Sequence, residues 1–145
     1  MTGYRRIFLD TAPIIYFLDE SSPLRARTEQ VLSEMLGSGA ELVTSVVSCM
    51  EYLVYPYRRK DDRAVHALWQ FVDGCGIQVV EITKETAEKA AHIRAEFSTF
   101  KSMDAIQLAA AKMNGCDVFL TNDKQLRQFS AIQCCMVEDW SGQKG

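Results

Sequence analysis

The chain reads as a single α/β domain whose strands run parallel and are covered by helices on both faces. Three observations lead there. Short apolar runs alternate with helical stretches along the whole chain, the pattern of a parallel sheet with crossover helices. The run Val118-Phe119-Leu120 shows no polar alternation, as a strand buried on both faces requires. No repeat, low-complexity segment or linker interrupts the 145 residues, a length that suits one domain with a real core.

Residues 6–9 (RIFL) read as the first strand and run straight into Asp10. Pro13 then falls in the first turn of a helix, where its missing N–H costs nothing, and residues 14–18 form the apolar body. Ser21-Ser22-Pro23 opens a second helix with Leu24, Val31, Leu32, Met35 and Leu36 on its apolar face, and Gly37-Ser38-Gly39 ends it. Residues 41–44 are the second strand. Ser45 or Ser48 caps a helix over 46–57, with Pro56 near its end. Residues 58–63 (RRKDDR) make a charged corner before a helix over 65–72, halted by Gly74 and Gly76. A third strand over 77–82 leads into a long helix over 83–100.

The segment 101–125, KSMDAIQLAAAKMNGCDVFLTNDKQ, carries the densest signal. Ser102 is the expected N-cap of an alanine-rich helix, with Asp104 in the first turn where the helix dipole favours negative charge. Met103, Ile106, Ala110 and Met113 recur at the spacing of one buried face, and Asn114-Gly115 stops the helix. The strand over 118–120 ends in Thr121-Asn122-Asp123, followed by a short helix over 124–129 and a weak strand over 132–137. Residues 1–140 are thus the domain, and 141–145 a short frayed tail.

With 48% hydrophobic and 24% charged residues, the composition is that of an ordinary soluble protein. No apolar run approaches the ~20 residues of a membrane span, and the opening MTGYRRIFLD is no signal peptide, so a cytoplasmic location without membrane contact is expected. Five cysteines, odd in number and without a C-x-x-C pair, fit reduced thiols and argue against sulfur-bound metal. The net charge of −3 speaks mildly against a nucleic-acid partner. Four carboxylates committed to metal would turn that −3 into +1, which weakens the objection.

Four acids stand out. Asp10 and Asp123 each follow a buried strand, Asp104 begins the helix beside the second of them, and Glu51 interrupts an otherwise apolar helix. Taken singly, Asp10 and Asp123 are helix caps, Asp104 is a first-turn acid, and Glu51 pairs with an arginine or lies on an exposed edge. Taken together, they converge beyond the carboxyl ends of the strands, where open parallel sheets bind ligands. Clustered like charges repel unless a cation joins them, and carboxylates suit Mg²⁺ or Mn²⁺. Magnesium commonly meets protein through few carboxylates plus substrate phosphates, which points to phosphoryl-transfer chemistry.

The segments FLDTAPIIYFLD, TSVVSCMEYLV, SMDAIQLAAAKMNG and FLTND resemble the PIN domain, and in particular the VapC-type ribonuclease toxins of toxin–antitoxin pairs. That resemblance implies a parallel sheet of strand order 3-2-1-4-5 and a metal-dependent endoribonuclease site. Its catalytic acids fall on Asp10, Glu51, Asp104 and Asp123. Asp10, Asp104 and Asp123 are expected to hold one or two Mg²⁺ (or Mn²⁺) ions, with Glu51 as ligand or orienter of a water. Thr11, Thr121 and Asn122 match the small polar positions that support the site. The implied partners are an RNA substrate such as a tRNA or rRNA, a cognate antitoxin and a second copy in a homodimer. Arg94 and Lys101, just before Asp104, are candidates for contact with the RNA backbone, while His66 and His92 read as surface or packing residues. Relatives often carry a more basic balance than this chain.

Two other readings keep the fold. A PIN nuclease can serve RNA processing or decay, and a PIN-like module that has lost catalysis can bind RNA without cutting it. The second would be expected to lack one or more acids, and all four are here. A phospho-acceptor role for Asp10 is disfavoured, because position 12 is alanine and only nine residues precede Asp10.

Overall fold

The computed structural model describes residues 4–140; the tail expected at 141–145 lies outside the described residues. In chain order the elements are β1 (Arg6–Leu9), α1 (Thr11–Leu18), α2 (Arg25–Gly37), β2 (Glu41–Ser45), α3 (Val46–Arg58) and α4 (Asp62–Gly74). There follow β3 (Gln78–Val80), α5 (Lys84–Glu96), α6 (Ser102–Met113), β4 (Val118–Thr121), a 3₁₀ turn (Lys124–Gln128) and β5 (Gln133–Met136). The five strands form one sheet in the order β3-β2-β1-β4-β5, with every pairing parallel.

Strand alternation divides the core in two. Ile7, Leu9, Leu42, Val118 and Leu120 point to the face covered by α1 to α4, and Phe8, Val43 and Phe119 to the face covered by α5 and α6. Ile7, Phe8, Leu9, Val118, Phe119 and Leu120 are all fully buried, so β1 and β4 have no solvent face at all. Each such side chain contributes about 1.5–3 kcal/mol of burial, which is how strands of four residues stay ordered. Phe8 and Phe119 stack across the β1–β4 pair with ring centroids 5.3 Å apart. At the amino end of the sheet Arg6 bonds the Asn114 carbonyl, Glu41 and Gln78, tying three strands to the turn after α6. Gly115 takes φ +72° in that turn, a conformation an L side chain adopts only with strain.

Several boundaries differ from the sequence reading. α4 begins at Asp62 rather than 65, because the Asp61 carboxylate accepts from the Ala64 N–H at 3.1 Å and turns the end of the charged corner into a helix start. α5 ends at Glu96 rather than 100. There the chain leaves the helix, Phe97 and Phe100 stack at 5.0 Å, and Phe100 drops into the core. Lys101, not Ser102, is the N-cap residue of α6, and the Ser102 hydroxyl instead accepts from Arg94 at 3.0 Å.

The buried face of α6 is also not the one the methionines mark. Ala105, Leu108, Ala109, Ala110 and Ala111 are fully buried, whereas Met103 and Met113 stand 41% and 44% exposed. Small side chains let α6 lie close to both α5 and the sheet, so closeness of approach outweighed hydrophobic bulk in choosing the inward face.

Candidate active site

The connections place a topological switch between β1 and β4. From β1 the chain moves outward through α1 to α4 on one face, then returns through α5 and α6 on the other to lay β4 against the free side of β1. A crevice forms beyond the carboxyl ends of strands that diverge in this way. Leu9 is in register with Leu120, so Asp10 and Thr121 leave the sheet side by side.

Asp10 is the most enclosed of the acids. Its backbone N–H donates to the Leu120 carbonyl at 2.9 Å. Its Oδ1 accepts from the Thr11 N–H at 2.9 Å and from Gln107 Nε2 at 3.3 Å, and its Oδ2 accepts from the Thr121 hydroxyl at 2.7 Å. Burial pushes the Asp10 carboxyl above its ordinary value; those donors pull it back and the charge of Asp104 adds to the rise. Thr121 serves a second acid as well, since its Oγ1 accepts from the Asp123 N–H at 3.2 Å.

Asp104 lies half-buried in the first turn of α6. Desolvation raises its carboxyl first and the nearby Asp123 next, with Glu51 adding to the effect. The Lys101 N–H and the Lys101 ammonium act the other way. Glu51 is reached from α1, where the Thr11 hydroxyl donates to its Oε1. Asp123 caps the 3₁₀ turn by accepting from the Gln125 N–H at 3.1 Å. Asn122 donates to the Tyr16 hydroxyl at 3.3 Å and accepts from the Glu138 N–H at 3.4 Å, which pins the loop after β4 over α1.

Asp104 is the acid that links the set, since its charge acts on Asp10 and the charges of Asp123 and Glu51 act on it. The roles foreseen singly are present: caps for Asp10 and Asp123, a first-turn acid for Asp104. Asp10 caps α1, Asp123 caps the 3₁₀ turn, and Asp104 accepts from the N-cap N–H of α6. Capping and convergence are the same arrangement, because strand ends and helix starts meet at this edge. Of the candidate phosphate contacts, Lys101 is exposed beside Asp104. Arg94 instead uses its guanidinium to bond the Phe100 carbonyl at 3.1 Å and Ser102 at 3.0 Å, fastening the α5–α6 connection. His66 and His92 are both exposed on their helices.

One participant escaped the sequence reading. Gln107 is 1% exposed and touches Asp10, Ser45 and Ser48. The available signal was a single amide among alanine and leucine, three residues after Asp104 and so on its flank of the helix.

The donor set fits a hard divalent cation in its chemistry: carboxylate oxygens, with hydroxyls and an amide holding them. Among the described residues, ion pairs occur only at Arg6–Glu41 and Arg127–Asp139, so none of the four acids has a basic side chain neutralising it directly. Also among the described residues, no three acid, thiol or imidazole side chains are drawn tightly enough to enclose a metal ion. The acids are neighbours through their charge, at a spacing a bound cation would have to tighten.

The PIN domain family model matches residues 7–132. This chain belongs to the PIN domain family. No curated protein sequence matches it significantly. Among solved structures, this PIN domain is similar to VapBC2 from Rickettsia felis bound to a promoter DNA fragment, with a TM-score of 0.76, 11% identity, and 90% and 98% of the two chains covered. A toxin–antitoxin complex from Klebsiella pneumoniae gives a TM-score of 0.66 at 20% identity, covering 87% of this chain and 94% of the other. VapC20 from Mycobacterium tuberculosis, described as a sarcin–ricin loop cleaving toxin, gives 0.66 at 20% identity over 86% and 93%. At such identities these likenesses concern the fold.

Proposed function

We propose that this PIN domain is a Mg²⁺- or Mn²⁺-dependent endoribonuclease and the toxin of a type II toxin–antitoxin pair. The observation that supports the reading is the gathering of Asp10, Glu51 and Asp123 around the charge of Asp104 at the switch point of the sheet, with no basic side chain among the described residues ion-paired to any of them. Asp10, Asp104 and Asp123 are the residues to hold the cation, with Glu51 as a further ligand or as the orienter of a water. A bound divalent ion supplies hydroxide near neutral pH and offsets charge gathering on a phosphate.

The side chains do the positioning. The Thr121 and Thr11 hydroxyls donate to Asp10 and Glu51 and so fix which way each carboxylate faces. Lys101, exposed at the start of α6, is the side chain we assign to a backbone phosphate. Water adds to phosphorus in line as the bond to the 3′ oxygen breaks; the water gives up a proton and the departing 3′ oxygen takes one from solvent, which leaves a 5′-phosphate and a 3′-hydroxyl. The RNA substrate and the antitoxin partner draw support from the fold neighbours, which include a toxin–antitoxin complex and a toxin named for cleaving the sarcin–ricin loop. Among the described residues no helix is long and apolar enough to cross a membrane. We assign the ribonuclease to the cytoplasm, with tRNA or rRNA as its substrate.

The purified chain should cut structured RNA when Mg²⁺ or Mn²⁺ is present. Asp10→Asn and Asp104→Asn should each lose more than the ~10–100-fold that removal of an outer-shell partner produces. Undiminished cleavage by either variant overturns the assignment. The chain should also run as a homodimer in light scattering at micromolar concentration, and a monomer there removes that part of the reading.

A further inference from the structure

We propose that Gln107 is a positioning residue that sets the orientation of the Asp10 carboxylate and thereby prepares the cation site. The inference rests on the nuclease reading of that site, which it deepens by one residue.

A buried primary amide is costly unless its hydrogen-bonding groups are satisfied, and here the partners dictate which way it faces. Gln107 Nε2 lies 3.3 Å from Asp10 Oδ1. An ionised carboxylate only accepts, so the nitrogen must be the end that faces it. The other hydrogen of Nε2 goes to the Ser48 hydroxyl, which passes its own proton to the Leu9 carbonyl at 3.4 Å. On the opposite side, Oε1 accepts from the Ser45 hydroxyl, which in turn accepts from the Val47 N–H at 3.1 Å as the cap of α3. Every proton in this chain has one consistent place, and the polarity runs from the start of α3 to Asp10.

Two consequences follow for the site. With donors from Thr11 and Gln107 on Oδ1 and from Thr121 on Oδ2, three of the roughly four lone-pair positions of the carboxylate are occupied. The position left is on Oδ2, which directs Asp10 to offer one oxygen. The amide also links the three elements that carry Asp10, Glu51 and Asp104, since it sits on α6 and bonds residues at the end of β1 and the start of α3. A leucine of similar size would fill the space without supplying a donor.

The test is Mn²⁺ binding to the metal-free protein, measured by isothermal titration in the absence of RNA. Gln107→Met keeps length and packing but removes the amide. Loss of an outer-shell partner weakens metal binding by about 10–100-fold, and that is the expected rise in the Mn²⁺ dissociation constant. Leu108→Ala, a change in the fully buried neighbour on the same helix, controls for simple loosening of the core and should leave Mn²⁺ affinity as in the parent. Parent-like affinity in Gln107→Met, or an equal loss in Leu108→Ala, overturns the proposal. Should Gln107→Met not fold, Ser45→Ala removes the bond that holds Oε1; it should also weaken Mn²⁺ binding, and unchanged affinity there overturns the proposal equally. A parent protein that takes up no Mn²⁺ fails the nuclease reading itself, a different result from a parent that binds and a Gln107 variant that binds alike.

Discussion

Burial raises the Asp104 carboxyl above its ordinary value of 3.8, and the charges of Asp123 and Glu51 raise it further. In the unfolded chain the group titrates near its ordinary value, so folding makes its ionised form less favourable. The resulting stability is fully present below the unfolded value and is lost as pH rises through the higher folded one. Above that point the metal-free protein carries a standing penalty. Asp104→Asn removes the charge and keeps an oxygen for the Lys101 N–H. It should therefore melt above the parent at neutral pH in chelator, by less than about 1 kcal/mol because the group is partly solvated. The gap should close below pH 3.8, where both forms are neutral. Equal melting at neutral pH would show that the acids do not strain one another. At this scale Asp10, Asp104 and Asp123 were legible because strand ends and helix starts announce themselves in sequence. Gln107 was not, since nothing in a helical pattern says that one inward position will face a carboxylate rather than a leucine.

At the scale of the element, α6 shows where periodicity misleads. Met103, Ile106, Ala110 and Met113 do share a stripe, but a helix pressed against another helix and a sheet buries whichever side permits the closest approach. That side carries Ala105, Leu108, Ala109 and Ala111, and of the expected stripe it takes in Ala110 and part of Ile106 but neither methionine. Enlarging it should be costly: Ala109→Leu is expected to lose about 1–3 kcal/mol through overpacking. Met113→Lys, at a position 44% exposed, should stay within about 0.5 kcal/mol. Urea midpoints of the two variants decide between the faces, and the reverse ranking would restore the methionine stripe as the buried one. Strands were easier to read than helix ends. β1 and β4 are apolar without alternation, whereas the end of α5 depends on where Phe100 finds its pocket.

For the whole molecule, the alternation of strands and helices predicts parallel pairing, but strand order came only with the family resemblance. Nothing in residues 4–140 taken locally says that the path after β3 changes face and lays β4 beside β1. That change of face is what brings Asp10 against Thr121 and the start of α6. It also couples the site to global stability, because β1 is the central strand, β4 is its fully buried neighbour, and Asp10 and Asp123 follow their carboxyl ends. A cation that binds only the folded chain stabilises it by RT ln(1 + [L]/Kd), about 2.7 kcal/mol at a hundred times the dissociation constant. Thermal melts in rising Mg²⁺ at neutral pH should therefore climb with concentration, and Asp10→Asn should flatten the climb. At a pH low enough to protonate Asp10 and Asp104 the parent should flatten as well, since protonated carboxyls bind the ion poorly. A parent whose melting temperature ignores Mg²⁺ at neutral pH would leave the four acids with structural roles and no cation to hold. A climb that survives Asp10→Asn would move the ion to another part of the surface.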